Sequence, residues 1–242
     1  MTKQHKTLCF AHRGFSGQYP ENTMLAFEQA IALGVDGIEL DVHLTKDGVP
    51  VICHDEQLDR TTDGSGLLCT YTYRELSRFD ASYIYKGKYG ANRIPTLREY
   101  LERVKDTGIV TNIELKNGCI DYPGLEMAVL KLVDEYGMRP RVILSSFNHY
   151  SVLRAKRLAP DVKCGLLYDA WLIDPQAYGR AAGVECLHPS YYCLTPQTVN
   201  ACLAAGLEIN TWTVNEPEEM RRLAELGVTS VITNYPDRFF ER

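Results

Sequence analysis

The sequence predicts an α/β fold, a closed (β/α)8 TIM barrel in one domain over residues 1–242, with a small insertion after the second strand. Three observations predict it. Apolar runs of strand length alternate with longer helical patterns along the chain, which argues for a parallel sheet with crossover helices. A glycine followed by an apolar residue recurs at Gly34-Val35, Gly108-Ile109, Gly183-Val184, Gly206-Leu207 and Gly227-Val228, and reads as helix, cap, next strand. About eight such units follow one another, and no glycine-rich GxGxxG turn follows the first strand, so a closed barrel fits better than a doubly wound sheet.

The first strand is residues 8–12, an apolar run ending on His12. A helix over 22–33 is opened by Glu21-Asn22-Thr23, with Asn22 as its N-cap, and closed by Gly34. The second strand, 37–43, carries Glu39, Asp41 and His43 on one face and Leu40 and Val42 on the other. A short strand over 49–53 ends just before His54. Residues 56–93 then break the rhythm. They are polar, contain Tyr71, Tyr73, Tyr83, Tyr85 and Tyr89, and are too long for a bare loop, so they are expected to fold as an insertion at the mouth of the barrel. Helices over 96–105, 122–136, 150–158, 175–182, 196–205 and 216–225 alternate with strands over 110–115, 142–146, 163–167, 186–188, 208–214 and 230–233. Pro175, Pro196 and Pro217 sit near helix starts, where a missing N–H costs nothing.

At 242 residues, with 45% hydrophobic and 24% charged side chains, the chain is long enough for one large core. Its 26 basic and 31 acidic residues leave a net charge of −5, which gives no support for nucleic-acid binding or for an anionic membrane surface. No apolar run is long enough to span a membrane, and the first residues lack a leader pattern, so no stable membrane anchor is expected. The eight cysteines form no CxxC pair and mostly sit in apolar runs, as reduced core thiols of a cytoplasmic protein would.

In such a barrel the strand C-termini converge on one mouth. Glu39, Asp41 and Glu114 then offer three oxygen ligands and no thiolate, a set suited to a hard divalent cation, Mg2+ or Ca2+. Any one of them alone is as readily an ion-pair partner of Arg or Lys; the three together favour a metal. His43 shares their face and is placed behind the site as a supporting group. His12 and His54 are a candidate proton-transfer pair, because imidazole titrates near neutrality. Arg13 and Lys116 supply positive charge that matches phosphate oxygens. Glu21 and Asn22 open the first helix beside them as supporting groups, and the alternative to capping is that Asn22 reaches a site group from the first βα loop.

His12-Arg13-Gly14, Pro20-Glu21-Asn22-Thr23, Glu39-Leu40-Asp41-Val42, Thr45-Lys46-Asp47-Gly48, Val51-Ile52-Cys53-His54-Asp55 and Ile113-Glu114-Leu115-Lys116 together resemble the ordered motifs of the glycerophosphodiester phosphodiesterase family. The resemblance continues through Ser145-Ser146-Phe147, Trp212-Thr213-Val214-Asn215 and Ile232-Thr233-Asn234-Tyr235-Pro236-Asp237. It implies metal-dependent hydrolysis of a small-molecule phosphodiester to sn-glycerol 3-phosphate and an alcohol. It implies a cation on Glu39, Asp41 and Glu114, His12 and His54 as acid and base, and Arg13 and Lys116 as phosphate contacts. Trp212 is implied as a wall of the glycerol pocket. The alternative within the same chemistry is a lysophospholipase D-like activity, for which tyrosines of the insertion would supply an apolar groove. A phosphodiester-binding protein without turnover, or an unrelated phosphosugar isomerase or aldolase barrel, is disfavoured by the paired histidines. The exposed side of the insertion leaves an interface between copies and a lid both open.

Overall fold

The computed structural model describes residues 7–240. Along the chain run β1 (Leu8–His12), α1 (Met24–Leu33), β2 (Gly37–Leu44), β3 (Pro50–Ile52), α2 (Tyr73–Leu76), α3 (Leu97–Val104), β4 (Val110–Leu115), α4 (Leu125–Glu135), β5 (Val142–Ser146), α5 (His149–Leu158), β6 (Lys163–Tyr168), α6 (Pro175–Ala182), β7 (Cys186–Pro189), α7 (Pro196–Ala204), β8 (Glu208–Thr211), α8 (Pro217–Leu226), β9 (Ser230–Thr233) and α9 (Pro236–Phe240). Eight strands pair in parallel in the ring β1-β2-β4-β5-β6-β7-β8-β9, closed by β1 against β9. β3 stands apart: it pairs antiparallel with the end of β2, through Val42–Ile52 and His43–Val51.

Strand alternation builds two apolar layers. Outward-facing Ile38, Leu40 and Val42 of β2 are fully buried in one cluster with Phe27, Leu97, Tyr100 and Leu101 of the surrounding helices. Inside the barrel Phe10, Ile143, Cys186 and Ile232 make a second, smaller cluster. The helices stop where the sequence says they should: Gly34, Gly183 and Gly227 all take the left-handed C-cap conformation. Gly108 does not. It lies beyond the end of α3, whose cap is Lys105.

Several boundaries differ from the sequence reading. α1 starts at Met24 because Thr23, not Asn22, accepts the N-cap hydrogen bond from the Ala26 N–H. Asn22 adopts a left-handed φ of 56° and sends its side chain elsewhere. β8 ends at Thr211, short of the expected residue 214, and Trp212 makes only an isolated bridge to Ser190. Two short helices, α2 and α9, had no sequence signal strong enough to name them. The N-terminal residues 1–6, where a leader pattern was sought, lie outside the described residues.

The segment after β3 has its own small core of Leu58, Leu68, Leu76, Ala81 and Ile94 on Val51 and Cys53. Most of its tyrosines are engaged within the fold, while Tyr83 is exposed. Tyr85 and Tyr89 pack on each other, Tyr89 also packs on Tyr19, and both donate to backbone carbonyls of the loop after β1, Tyr19 O and Gln18 O. Tyr71 packs edge-on against Phe79. No helix among the described residues is long and apolar enough to cross a membrane.

Lower in the barrel, His188 is fully buried and bonded to Asn210, which in turn accepts from Ser230. The ring fits only because β6 has a glycine beside it: a Cβ on Gly165 would lie 2.5 Å from His188 Nε2. Gly165→Ala is therefore expected to destabilise the fold by about 1–3 kcal/mol through overpacking. A thermal unfolding midpoint equal to the parent's would refute that steric argument.

Candidate active site

One edge of β2 organises the site. The Arg13 N–H donates to Glu39 O at 2.9 Å, and the Cys53 N–H donates to Asp41 O at 3.0 Å. β1 and the β3 extension thus meet end to end along that edge, which brings His12 and His54 to the same mouth. On the other edge β4 runs in register, with Asp41 opposite Glu114 and Glu39 opposite Asn112. Period-2 alternation turns Glu39, Asp41, Asn112 and Glu114 inward together.

The carboxylates of Glu39, Asp41 and Glu114 place an oxygen each within 4.8 Å of one another. All three are buried, and Asp41 is 1% exposed. Three like charges this close cannot all ionise freely without compensation. Burial, then the charges of Asp41 and Glu114, push Glu39 well above the usual carboxylate range. Burial and the Asp41 charge raise Glu114 to about 7. Asp41 alone goes down: burial opposes its ionisation, but Arg13 and Lys116 outweigh it. Arg13 Nε lies 3.5 Å from Asp41 Oδ2, and Lys116 Nζ lies 3.7 Å from Asp41 Oδ1 and 2.9 Å from Glu114 Oε1. Asp41 Oδ1 is nevertheless buried without a hydrogen-bond partner. An all-oxygen cluster with an orphaned oxygen at its centre fits a hard cation.

Each histidine has one ring nitrogen engaged away from the cavity. His12 Nδ1 is 2.6 Å from Asn234 Oδ1, and its Nε2 faces Glu39 Oε2 at 3.8 Å. Burial, then the Arg13 charge, lowers the His12 pKa to about 4. His54 Nδ1 donates to Asp55 Oδ1 at 2.5 Å, and its Nε2 is 3.3 Å from Lys116 Nζ. In both rings, with the oxygen accepting, the proton sits on Nδ1; His12 Nε2 is then turned toward Glu39, and His54 Nε2 accepts from Lys116 Nζ.

The surrounding groups hold these in place. Asn22 Nδ2 donates to Asp41 Oδ2 at 2.8 Å. Glu21 accepts from Arg13 Nη1 at 2.9 Å. His43 is fully buried behind the site, between the Tyr122 hydroxyl (3.0 Å) and the His54 carbonyl (3.1 Å). Trp212 lies at the mouth, its Nε1 donating to His188 O at 2.8 Å and its ring edge-on to Phe147. A cavity lined by His12, Arg13, Glu39, His54, Glu114 and Trp212 collects most of these side chains.

Sequence reasoning missed four residues here. Asn112 also lines the cavity, and its amide oxygen is buried and unpartnered. Its place two residues before Glu114, on the same face of β4, was a usable signal. Asp55, adjacent to His54, was another. Asn234 fell inside the last of the resembling motifs, Ile232 to Asp237, which was a third; Arg60 had none, because its contacts come from the insertion.

A family model described as the glycerophosphoryl diester phosphodiesterase family matches residues 12–238. A glycerophosphodiester phosphodiesterase from Caldanaerobacter subterraneus subsp. tengcongensis is 44% identical over 232 residues, covering 96% of both chains. Another, from Bacillus altitudinis, is 42% identical over 235 residues, again covering 96% of both. Among solved structures, an Oleispira antarctica phosphodiesterase in complex with the product sn-glycerol-3-phosphate superposes with a TM-score of 0.89 at 32% identity, covering 97% of this chain and 95% of that one. A match over nearly the whole length, together with relatives above 40% identity, establishes that this chain belongs to the glycerophosphoryl diester phosphodiesterase family.

Proposed function

We propose that this chain hydrolyses glycerophosphodiesters to sn-glycerol 3-phosphate and an alcohol, with one divalent cation, Mg2+ or Ca2+, held by Glu39, Asp41 and Glu114. The observation that carries this is the cluster of three buried carboxylates beside a cavity lined by His12, His54 and Arg13, with Lys116 paired to Asp41 and Glu114. The solved relative that holds sn-glycerol-3-phosphate lends support. When bound, the cation polarises a phosphoryl oxygen and offsets charge developing on it. Arg13 and Lys116 direct N–H donors at the remaining phosphate oxygens. His12 and His54 line the cavity, one as neutral imidazole to take a proton from the attacking hydroxyl and the other as imidazolium, protonated on both ring nitrogens, to give one to the departing alcohol. Trp212 and Phe147 wall the pocket and limit water. The six buried cysteines suit a reducing, cytoplasmic compartment.

The test is release of sn-glycerol 3-phosphate from glycerophosphocholine. EDTA is expected to stop it, and Mg2+ or Ca2+ to restore it. No product with either cation overturns the proposal; full activity in chelator removes the cation from it.

The acid cluster also predicts a pH effect. In the cation-free protein Glu114 holds its proton up to about pH 7, against 4.5 for an ordinary glutamate. A raised carboxyl pKa favours the folded state at low pH, and that contribution is lost as pH rises through about 7. A cation must displace the same proton, so the stabilisation it gives grows over the same range. Thermal unfolding with and without Ca2+ at about pH 5 and about pH 8 checks this. An equal cation effect at both pH values would place the ion elsewhere.

One observation favours a second substrate class. Phe147, Trp171, Ile173 and Tyr192 are exposed on the loops after β5, β6 and β7, across the mouth from the insertion. An acyl chain of a lysophospholipid would find apolar surface there. Turnover on glycerophosphocholine is expected to exceed turnover on lysophosphatidylcholine; the reverse order supports a lysophospholipase D-like enzyme.

A further inference from the structure

Arg60 belongs to the insertion and takes no direct part in the cavity. Its guanidinium lies between two carboxylates. Toward Asp55, Nε donates to Oδ2 at 2.6 Å and Nη2 to Oδ1 at 3.1 Å. Toward Glu21, Nη1 donates to Oε2 at 2.8 Å and Nη2 to Oε1 at 2.7 Å. Each carboxylate has a second duty. Asp55 Oδ1 accepts from His54 Nδ1, and Glu21 Oε1 accepts from Arg13 Nη1. One planar fork therefore ties together the partners of a proposed proton-transfer group and of a proposed phosphate contact, which come from different loops.

The mounting of Arg60 is rigid. Its neighbours Leu58, Thr61 and Thr62 are buried, and the Thr62 hydroxyl donates to Leu58 O at 2.8 Å. The Arg60 side chain itself is 46% exposed, so its ion pairs add little to stability. Their value is directional. Bidentate pairing on two sides fixes the planes of both carboxylates, and with them the Asp55 oxygen that selects the His54 tautomer. A lysine has the charge but not the fork, and reaches one carboxylate at a time.

We propose that Arg60 is a positioning residue through which the insertion orients His54 and Arg13 for the reaction. This rests on the proposed glycerophosphodiesterase activity. Arg60→Ala is expected to lower kcat about 10- to 100-fold, with a smaller change in KM and an unfolding midpoint close to the parent's. Arg60→Lys is expected to recover part of the loss. In a double-mutant cycle, Arg60→Ala is expected to cost less in the Asp55→Asn background than in the parent, because the path through Asp55 is already broken and only the one through Glu21 remains. Nitrogen NMR of the His54 ring gives a readout that needs no substrate: the parent is expected to show the Nδ1–H tautomer, and Arg60→Ala a mixture.

Turnover of Arg60→Ala within about twofold of the parent overturns the proposal, as does an unchanged His54 tautomer. If Arg60→Ala does not fold, Arg60→Gln, which keeps the length and removes the charge, carries the same comparisons. A parent that releases no glycerol 3-phosphate sinks the functional proposal instead, and the tautomer measurement still judges Arg60.

Discussion

Asp41→Asn is expected to lower turnover by about 10³-fold or more while leaving a folded protein. Asp41 is the centre of charge in the site: Arg13, Lys116 and Asn22 all converge on it, and it alone of the three acids is held ionised. The substitution removes a proposed ligand for the cation and the anchor of both proposed phosphate contacts at once. Its effect on stability is smaller than the loss of a buried ion pair suggests. Breaking such a pair costs about 3–5 kcal/mol when a charge is left stranded. Here Glu39 and Glu114 are kept protonated partly by the Asp41 charge. With that charge gone they ionise more readily and take over part of the pairing, so a loss of about 1–3 kcal/mol is expected. Thermal unfolding and steady-state kinetics of the variant measure both. Activity near the parent's would remove Asp41 from the chemistry.

His12→Ala and His54→Ala are each expected to reduce kcat by about 10²-fold or more. The two losses should not add. Proton removal and proton donation belong to one displacement, so the double variant is expected to be little slower than the worse single one. The fold should tolerate both changes, since each ring borders the cavity and its polar partners stay hydrated from that side. Asn234 and Asp55 differ in charge, and each holds the Nδ1 of its own ring. Near-parent turnover in both single variants would end the acid/base assignment.

The legibility of this site in the sequence follows from strand geometry. Glu39, Asp41 and Glu114 were legible because alternation fixes which face a strand residue takes, and because paired carboxylates facing inward demand an explanation. His12 and His54 were legible as strand-end residues. Asn22 was legible only as an alternative, cap or site group, because an Asn before a helix has the same local signature whether it caps or reaches away; Thr23 took the cap and Asn22 took Asp41. The early end of β8 was equally invisible, since Thr211 to Val214 are all β-branched or aromatic residues that suit a strand, while Trp212 is drawn across to His188 O. Of the insertion's tyrosines, Tyr85 and Tyr89 pack against the first loop, while Tyr83 stays exposed.

The sequence by itself determined the barrel, the order of its strands and the chemical class of the groups at its mouth, because periodicity, caps and residue type are local properties. Tertiary structure alone decided which groups act as neighbours. It put β3 on the same edge of β2 as β1, so that His54 faces His12. It set three carboxylates against two cations, which lowers the pKa of Asp41 and leaves those of Glu39 and Glu114 raised. It carried Asn234 and Arg60 to partners from which they are remote along the chain. Such pairings depend on ring closure and on where an insertion folds back, and distance along a chain contains neither.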